Sequence, residues 1–115
     1  MDESIFNSIK KALGLTEDYT AYDNTVLFDI NSVFSILTQL NVGPKEGFQI
    51  EDDTAVWTDY VTDTKLLNII KPYVAAKVHL MFDTPQSSAV TEVLKETCRE
   101  YESRILYFTD GGFNE

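Results

Sequence analysis

The chain has 115 residues, 43% of them hydrophobic, and a formal charge of −10 at neutral pH. That length fits one folded domain, and the composition fits a packed core rather than a disordered chain. The charge argues against ordinary DNA or RNA binding, which depends on Lys and Arg displacing counterions, and the single cysteine, Cys98, allows no internal disulfide.

No apolar run approaches the eighteen or so residues of a membrane span. The opening MDESIFNSIKKALG puts acids before lysines, the reverse of a secretory signal, so synthesis in the cytoplasm is expected. The charge is uneven. Residues 1–64 carry 12 acids and 3 bases, whereas residues 65–115 carry 7 acids and 6 bases.

Asp2 to Leu13 reads as a short helix, with Ile5, Ile9, Ala12 and Leu13 on one face, Phe6 beside them and Gly14 as the stop. It either docks on the rest of the chain or reaches a neighbouring subunit. After a polar joint, Thr20 and Asp23 approximate a capping box for a second helix that runs to Leu40. Val26, Ile30, Val33, Leu37 and Leu40 form its buried stripe, and Leu27 and Phe34 widen it toward a partner. Asn31, Ser32 and Ser35 lie among these apolar residues and either permit close helix approach or face water.

Asn41 to Asp63 is irregular. Gly43-Pro44-Lys45-Glu46-Gly47 is turn chemistry, and Phe48, Ile50, Ala55 and Trp57 could form a short hairpin split by Glu51-Asp52-Asp53. A loop this long in a small domain is usually functional or mobile. Trp57, the lone tryptophan, either plugs the loop onto the helices or anchors an interface.

The next helix starts at Thr62 or Asp63. Leu67, Ile70, Val74, Val78 and Met81 make its apolar stripe, and Pro72 within it predicts a kink or a helix start nearby. Phe82 ends the run. Asp83-Thr84-Pro85 then offers a capping side chain and a proline suited to a first turn, which predicts a sharp corner and a last helix from Pro85 to Tyr107. Val90, Leu94, Cys98, Tyr101 and Ile105 form its stripe. Glu92–Lys95, Glu96–Arg99 and Glu100–Arg104 are spaced to pair on its outer side. The end of the chain, 108–115, contains Gly111-Gly112 and reads as a flexible tail whose aromatics order on a partner.

Residues that carry chemistry are sparse. His79 lies on a mainly apolar helix and Cys98 on a core stripe, and one His with one Cys makes no structural zinc site. The acidic run from Glu51 lacks the central Gly and closing Glu of a calcium loop, so it reads as solvated. No enzyme activity and no cofactor are expected. The fold expected from periodicity and caps is all-α, a single domain over 1–115. It is a bundle of three longer helices with a short N-terminal helix and an irregular acidic loop between the second and third.

The order Tyr73, Val74, Lys77, Val78, Leu80, Phe82, Asp83, Pro85, Ser87, Ser88, then Glu102, Arg104 and Ile105, resembles the head–tail connector (adaptor) proteins of tailed bacteriophages. Members have Phe-Asp-Pro-Pro followed by Ser-Ser and an acidic helix ending near Glu-Trp-Arg-Leu. Here Thr84 replaces the first proline and Ser103 the aromatic. Ile30-Asn31-Ser32, Gln39 to Gly43 and Trp57 also fall on family-like positions, so the likeness runs from about Asp23 to Ile105.

The resemblance implies a helical virion protein without catalytic activity. It would form a ring of typically about twelve subunits under the portal, extend the DNA channel and offer a surface to the next head-completion or tail protein. Its partners would be itself, the portal and that next protein, with DNA only as cargo and no membrane. On this view Phe48, Ile50, Trp57 and Tyr60 are candidates for the subunit interface, and Glu51, Asp52 and Asp53 for the channel wall. Tyr107, Phe108 and Phe113 are candidates for contact with the portal or tail. The alternatives are a small acidic regulatory or inhibitory protein with one cytoplasmic partner and a tail-completion protein of the same pathway.

Overall fold

The computed structural model describes residues 3–83 and 86–109. Its helices are α1 (Ile5–Ala12), α2 (Asp23–Gln39), the single-turn α3 (Trp57–Tyr60), α4 (Thr64–Phe82) and α5 (Ser88–Tyr107). The fold is all-α, and among the described residues no strand forms. In place of a loop hairpin there is one isolated antiparallel bridge, between Ser4 and Val56.

Local chemistry sets the ends. The Ser4 side chain accepts from the Asn7 amide at the start of α1, and Asp63 accepts from the amides of Lys65 and Leu66 at the start of α4. α1 and α2 both finish in a left-handed residue, Gly14 (φ 83°) and Asn41 (φ 67°), that lets the following amide reach back five residues. Those bonds are Leu15 to the Lys10 carbonyl and Val42 to the Leu37 carbonyl.

α4 is the central element. It packs most extensively on α5, then on α2, then on α1, while α5 makes no comparable contact with α1 or α2. The core joins Ile5 and Ile9 of α1, Val26, Ile30, Val33, Phe34 and Leu37 of α2, and Ile70, Tyr73, Val74 and Val78 of α4 to Cys98 and Ile105 of α5. α1 therefore docks on its own subunit.

Several details differ from the sequence expectation. α4 is one helix through Pro72, so no helix starts there, and the carbonyl that loses its donor belongs to Asn68, an exposed residue that water can reach. Met81 is 42% exposed, since Phe82 takes the inward place in the last turn and meets the Tyr22 ring edge-on at 5.4 Å. α5 begins at Ser88, capped by Ser87, whose hydroxyl accepts from the Val90 amide, while Asp83 closes α4. The expected proline start at 84–85 lies outside the described residues. Val90 is exposed and the α5 stripe becomes fully buried only at Cys98 and Ile105. Thr20 and Asp23 form no side-chain cap, because the Asp23 carboxylate pairs with Lys10. Ala12 is exposed, and Lys10 is buried in its stead.

That lysine holds the joint between α1 and α2. Its Nζ donates to the carbonyls of Tyr19 (2.8 Å) and Glu17 (3.2 Å), lies 2.9 Å from Asp23 Oδ1 and sits over the Phe6 ring. A buried charge needs this full set of partners to be tolerated.

Candidate assembly surfaces

The irregular segment is tied to the helices at several points. Asn31 brackets Ile50, accepting from its amide at 2.9 Å and donating to its carbonyl at 3.0 Å. The Ile5 amide donates to the Ala55 carbonyl and the Trp57 amide to the Glu3 carbonyl. The Trp57 indole N–H donates to Ser8 Oγ at 3.0 Å. Asp59 reaches back to the Val56 amide and closes the single turn of α3.

These ties place the residues expected at a subunit interface. Phe34 gathers the rings of Phe48, Trp57 and Tyr60 at 5.2, 6.4 and 4.6 Å, and Lys71 lies over Trp57. Ile50, Trp57 and Tyr60 are buried inside their own subunit, and Phe48 is half-buried. Phe108 is also buried, Tyr107 is exposed, and Phe113 lies outside the described residues. Ser32 and Ser35 bond to carbonyls one turn back on α2.

Glu51, Asp52 and Asp53 are all exposed. The Thr54 hydroxyl and amide donate to Asp52 Oδ1 at 2.6 and 3.0 Å and hold that carboxyl below the usual range, so it stays charged. The three acids share a groove of 400 Å³ with Glu17 and Asp23, over an apolar base of Phe6 and Leu27. Asn24 also lines it. One turn along α2 from Asn24, Phe28 is 71% exposed, the largest exposure of any bulky apolar side chain described.

A second groove, of 390 Å³, runs between α4 and α5. Leu80 and Cys98 form its base, and Lys77, Lys95 and Arg99 line it with Glu102. The Tyr73 hydroxyl donates to Glu102 Oε2 at 2.7 Å, and Lys77 Nζ lies 3.6 Å from the same oxygen, which ties α4 to α5. The sequence-spaced pairs Glu92–Lys95, Glu96–Arg99 and Glu100–Arg104 all form, on exposed positions where each adds little stability.

Neither groove carries a catalytic constellation. Burial pushes the Cys98 thiol up, which keeps it protonated and unreactive near neutral pH. Among the described residues, no three His, Cys, Asp or Glu side chains are placed to hold a metal ion, and no helix is long and apolar enough to cross a membrane.

No curated protein and no solved structure matches the chain. One family model does, over residues 5–112, and its description is phage connector protein. The match spans every helix of the bundle and both grooves, and on it the chain belongs to the phage connector proteins, a structural family of bacteriophage.

Proposed function

We propose that this chain is a head–tail connector subunit that closes into a ring beneath the portal, prolongs the DNA channel and offers its free side to the next head-completion or tail protein. The match to the phage connector family over residues 5–112 carries the reading. Two features of the chain support it. A ring needs two different patches per subunit, and the acidic groove beside α2 and the cationic groove between α4 and α5 differ in this way. A charge of −10 also suits a passage through which DNA must slide without sticking. The exposed Tyr107, at the end of α5, is the described aromatic best placed to meet a portal or tail partner.

Native mass spectrometry and negative-stain microscopy test the reading, on the chain alone and on the chain mixed with its portal. Closed rings in either sample are the expected result. A monomer that neither closes alone nor binds the portal would overturn it and favour a small regulatory protein.

A further inference from the structure

We infer that the α4–α5 groove of one subunit receives the acidic edge of the next copy, with Phe28 as the anchor. This rests on the ring reading above and assigns the residues of its subunit contact.

The two surfaces match in charge and in polarity. The receiving groove is lined by Lys77, Lys95 and Arg99 with one carboxylate, Glu102, which Tyr73 and Lys77 already engage, while Glu92 and Glu96 stand outside the lining and pair with Lys95 and Arg99. Nine bases serve the whole chain, and three of them line this one groove. The acidic edge sets Glu17, Asp23, Glu51, Asp52 and Asp53 around its groove with no base among the lining residues. Lys10 answers only Asp23.

The apolar parts match as well. Phe28 projects beside the acidic edge, and the receiving groove has Leu80 and Cys98 at its base. An aromatic anchor in an apolar-floored groove, ringed by charge pairs that close as water leaves, is the usual anatomy of an interface hot spot. The pairs Lys95–Glu92 and Arg99–Glu96 do not block the exchange, because exposed ion pairs within a helix are weak and screened.

The surfaces also lie on different layers. One belongs to α1, α2 and the loop, the other to α4 and α5, with α4 between α2 and α5. The same patch is therefore not reused by both partners. The contact is head-to-tail, which closes into a ring where the rotation between subunits allows it and does not give a two-fold dimer.

The test uses the full chain in sedimentation velocity from micromolar to millimolar concentration, at low and high salt, and then on the portal. Phe28→Glu blocks the edge and Lys95→Glu with Arg99→Glu blocks the groove. All three positions are exposed, so circular dichroism and the melting temperature should stay close to those of the unaltered chain. Each variant alone should lose self-association by at least about tenfold. Mixed together, they should form a discrete one-to-one dimer, because each retains the surface that the other lacks. High salt should weaken wild-type assembly.

Rings that persist in both variants would overturn this contact and leave the ring reading standing, with Glu51, Asp52 and Asp53 free to face the channel. A wild-type two-fold dimer would overturn the head-to-tail contact. So would variants that fail to pair when mixed.

Discussion

The Asn31 side chain meets the backbone of Ile50 as a neighbouring strand would, with one bond accepted and one donated across 19 residues of sequence. Ile50 is 3% exposed and directly precedes the acidic run, so this bracket fixes where Glu51, Asp52 and Asp53 emerge. Asn31→Ala should lower stability in urea by about 2 kcal/mol, the sum expected for two partly buried hydrogen bonds. Asn31→Asp tests the donor alone. It keeps the acceptor for the Ile50 amide but turns a carboxylate toward the Ile50 carbonyl, and should cost a similar amount. Hydrogen exchange at the Ile50 amide is the direct readout. Unchanged protection in Asn31→Ala would mean that the aromatic cluster, not Asn31, holds the segment.

What could be read from the sequence divides along contact range. Val26, Ile30, Val33 and Leu37 of the α2 stripe are fully buried, with Leu40 half-buried at the helix end, Asp63 caps α4, and the three α5 ion pairs form. Each depends on residues within a turn or two. Trp57 meets Ser8 across 49 residues, and Val56 bridges to Ser4, so nothing in the local pattern distinguished plug from interface. Lys10 was equally hidden, because a lysine next to an apolar stripe normally faces water and its carbonyl partners lie beyond the helix end. The open end of α5 has the same cause. Val90 continues an apolar spacing, but among the described residues no element covers it.

Titration should expose the buried polar groups. Asp29 Oδ2 is buried without a hydrogen-bond partner among the described residues, and burial raises its carboxyl. A raised folded value means that the protonated form is the one the fold favours. Its contribution is complete below the usual carboxylate range, about pH 4, and is lost as pH rises through the raised value. Asp29→Asn should therefore stabilise the chain at pH 7, on the order of 1 kcal/mol, and the gain should shrink on acidification. Burial also raises the phenols of Tyr60 and Tyr73, the latter helped by Glu102. Their contribution is complete below about pH 10 and lost above it, so Tyr60→Phe should flatten the alkaline limb of a stability profile. A limb that stays as steep would assign the alkaline loss to other groups.

Gly43 and Gly14 share a positive φ, 78° and 83°, yet should respond differently to alanine. A Cβ on Gly43 would lie 2.5 Å from Tyr60 Cε1, while one on Gly14 meets nothing within 4 Å. Tyr60 cannot step aside easily, because its ring is tilted against both Phe34 and Phe48. Gly14→Ala should cost about 1–2 kcal/mol for the left-handed backbone alone. Gly43→Ala adds overpacking of about 1–3 kcal/mol to the same backbone cost. Urea midpoints of the two variants give the comparison. Equal losses would show that the Tyr60 cluster yields.

Trp57 separates core from interface most sharply. Its indole is 2% exposed, meets the Phe34 ring edge-on, carries Lys71 over its face and donates to Ser8. Trp57→Ala should cost about 3–5 kcal/mol, a large share of the 5–15 kcal/mol typical of a whole domain. Trp57→Phe keeps a ring against Phe34 and loses the bond to Ser8, so it should cost less. With the side chain inside its own subunit, folding should fail first, and assembly should then fall in proportion to the folded fraction. Measuring both on the same samples decides the matter. Assembly lost from a chain that still unfolds at the wild-type urea concentration would place Trp57 at the subunit contact. That result would require the segment from Phe48 to Tyr60 to leave its cluster when the ring closes.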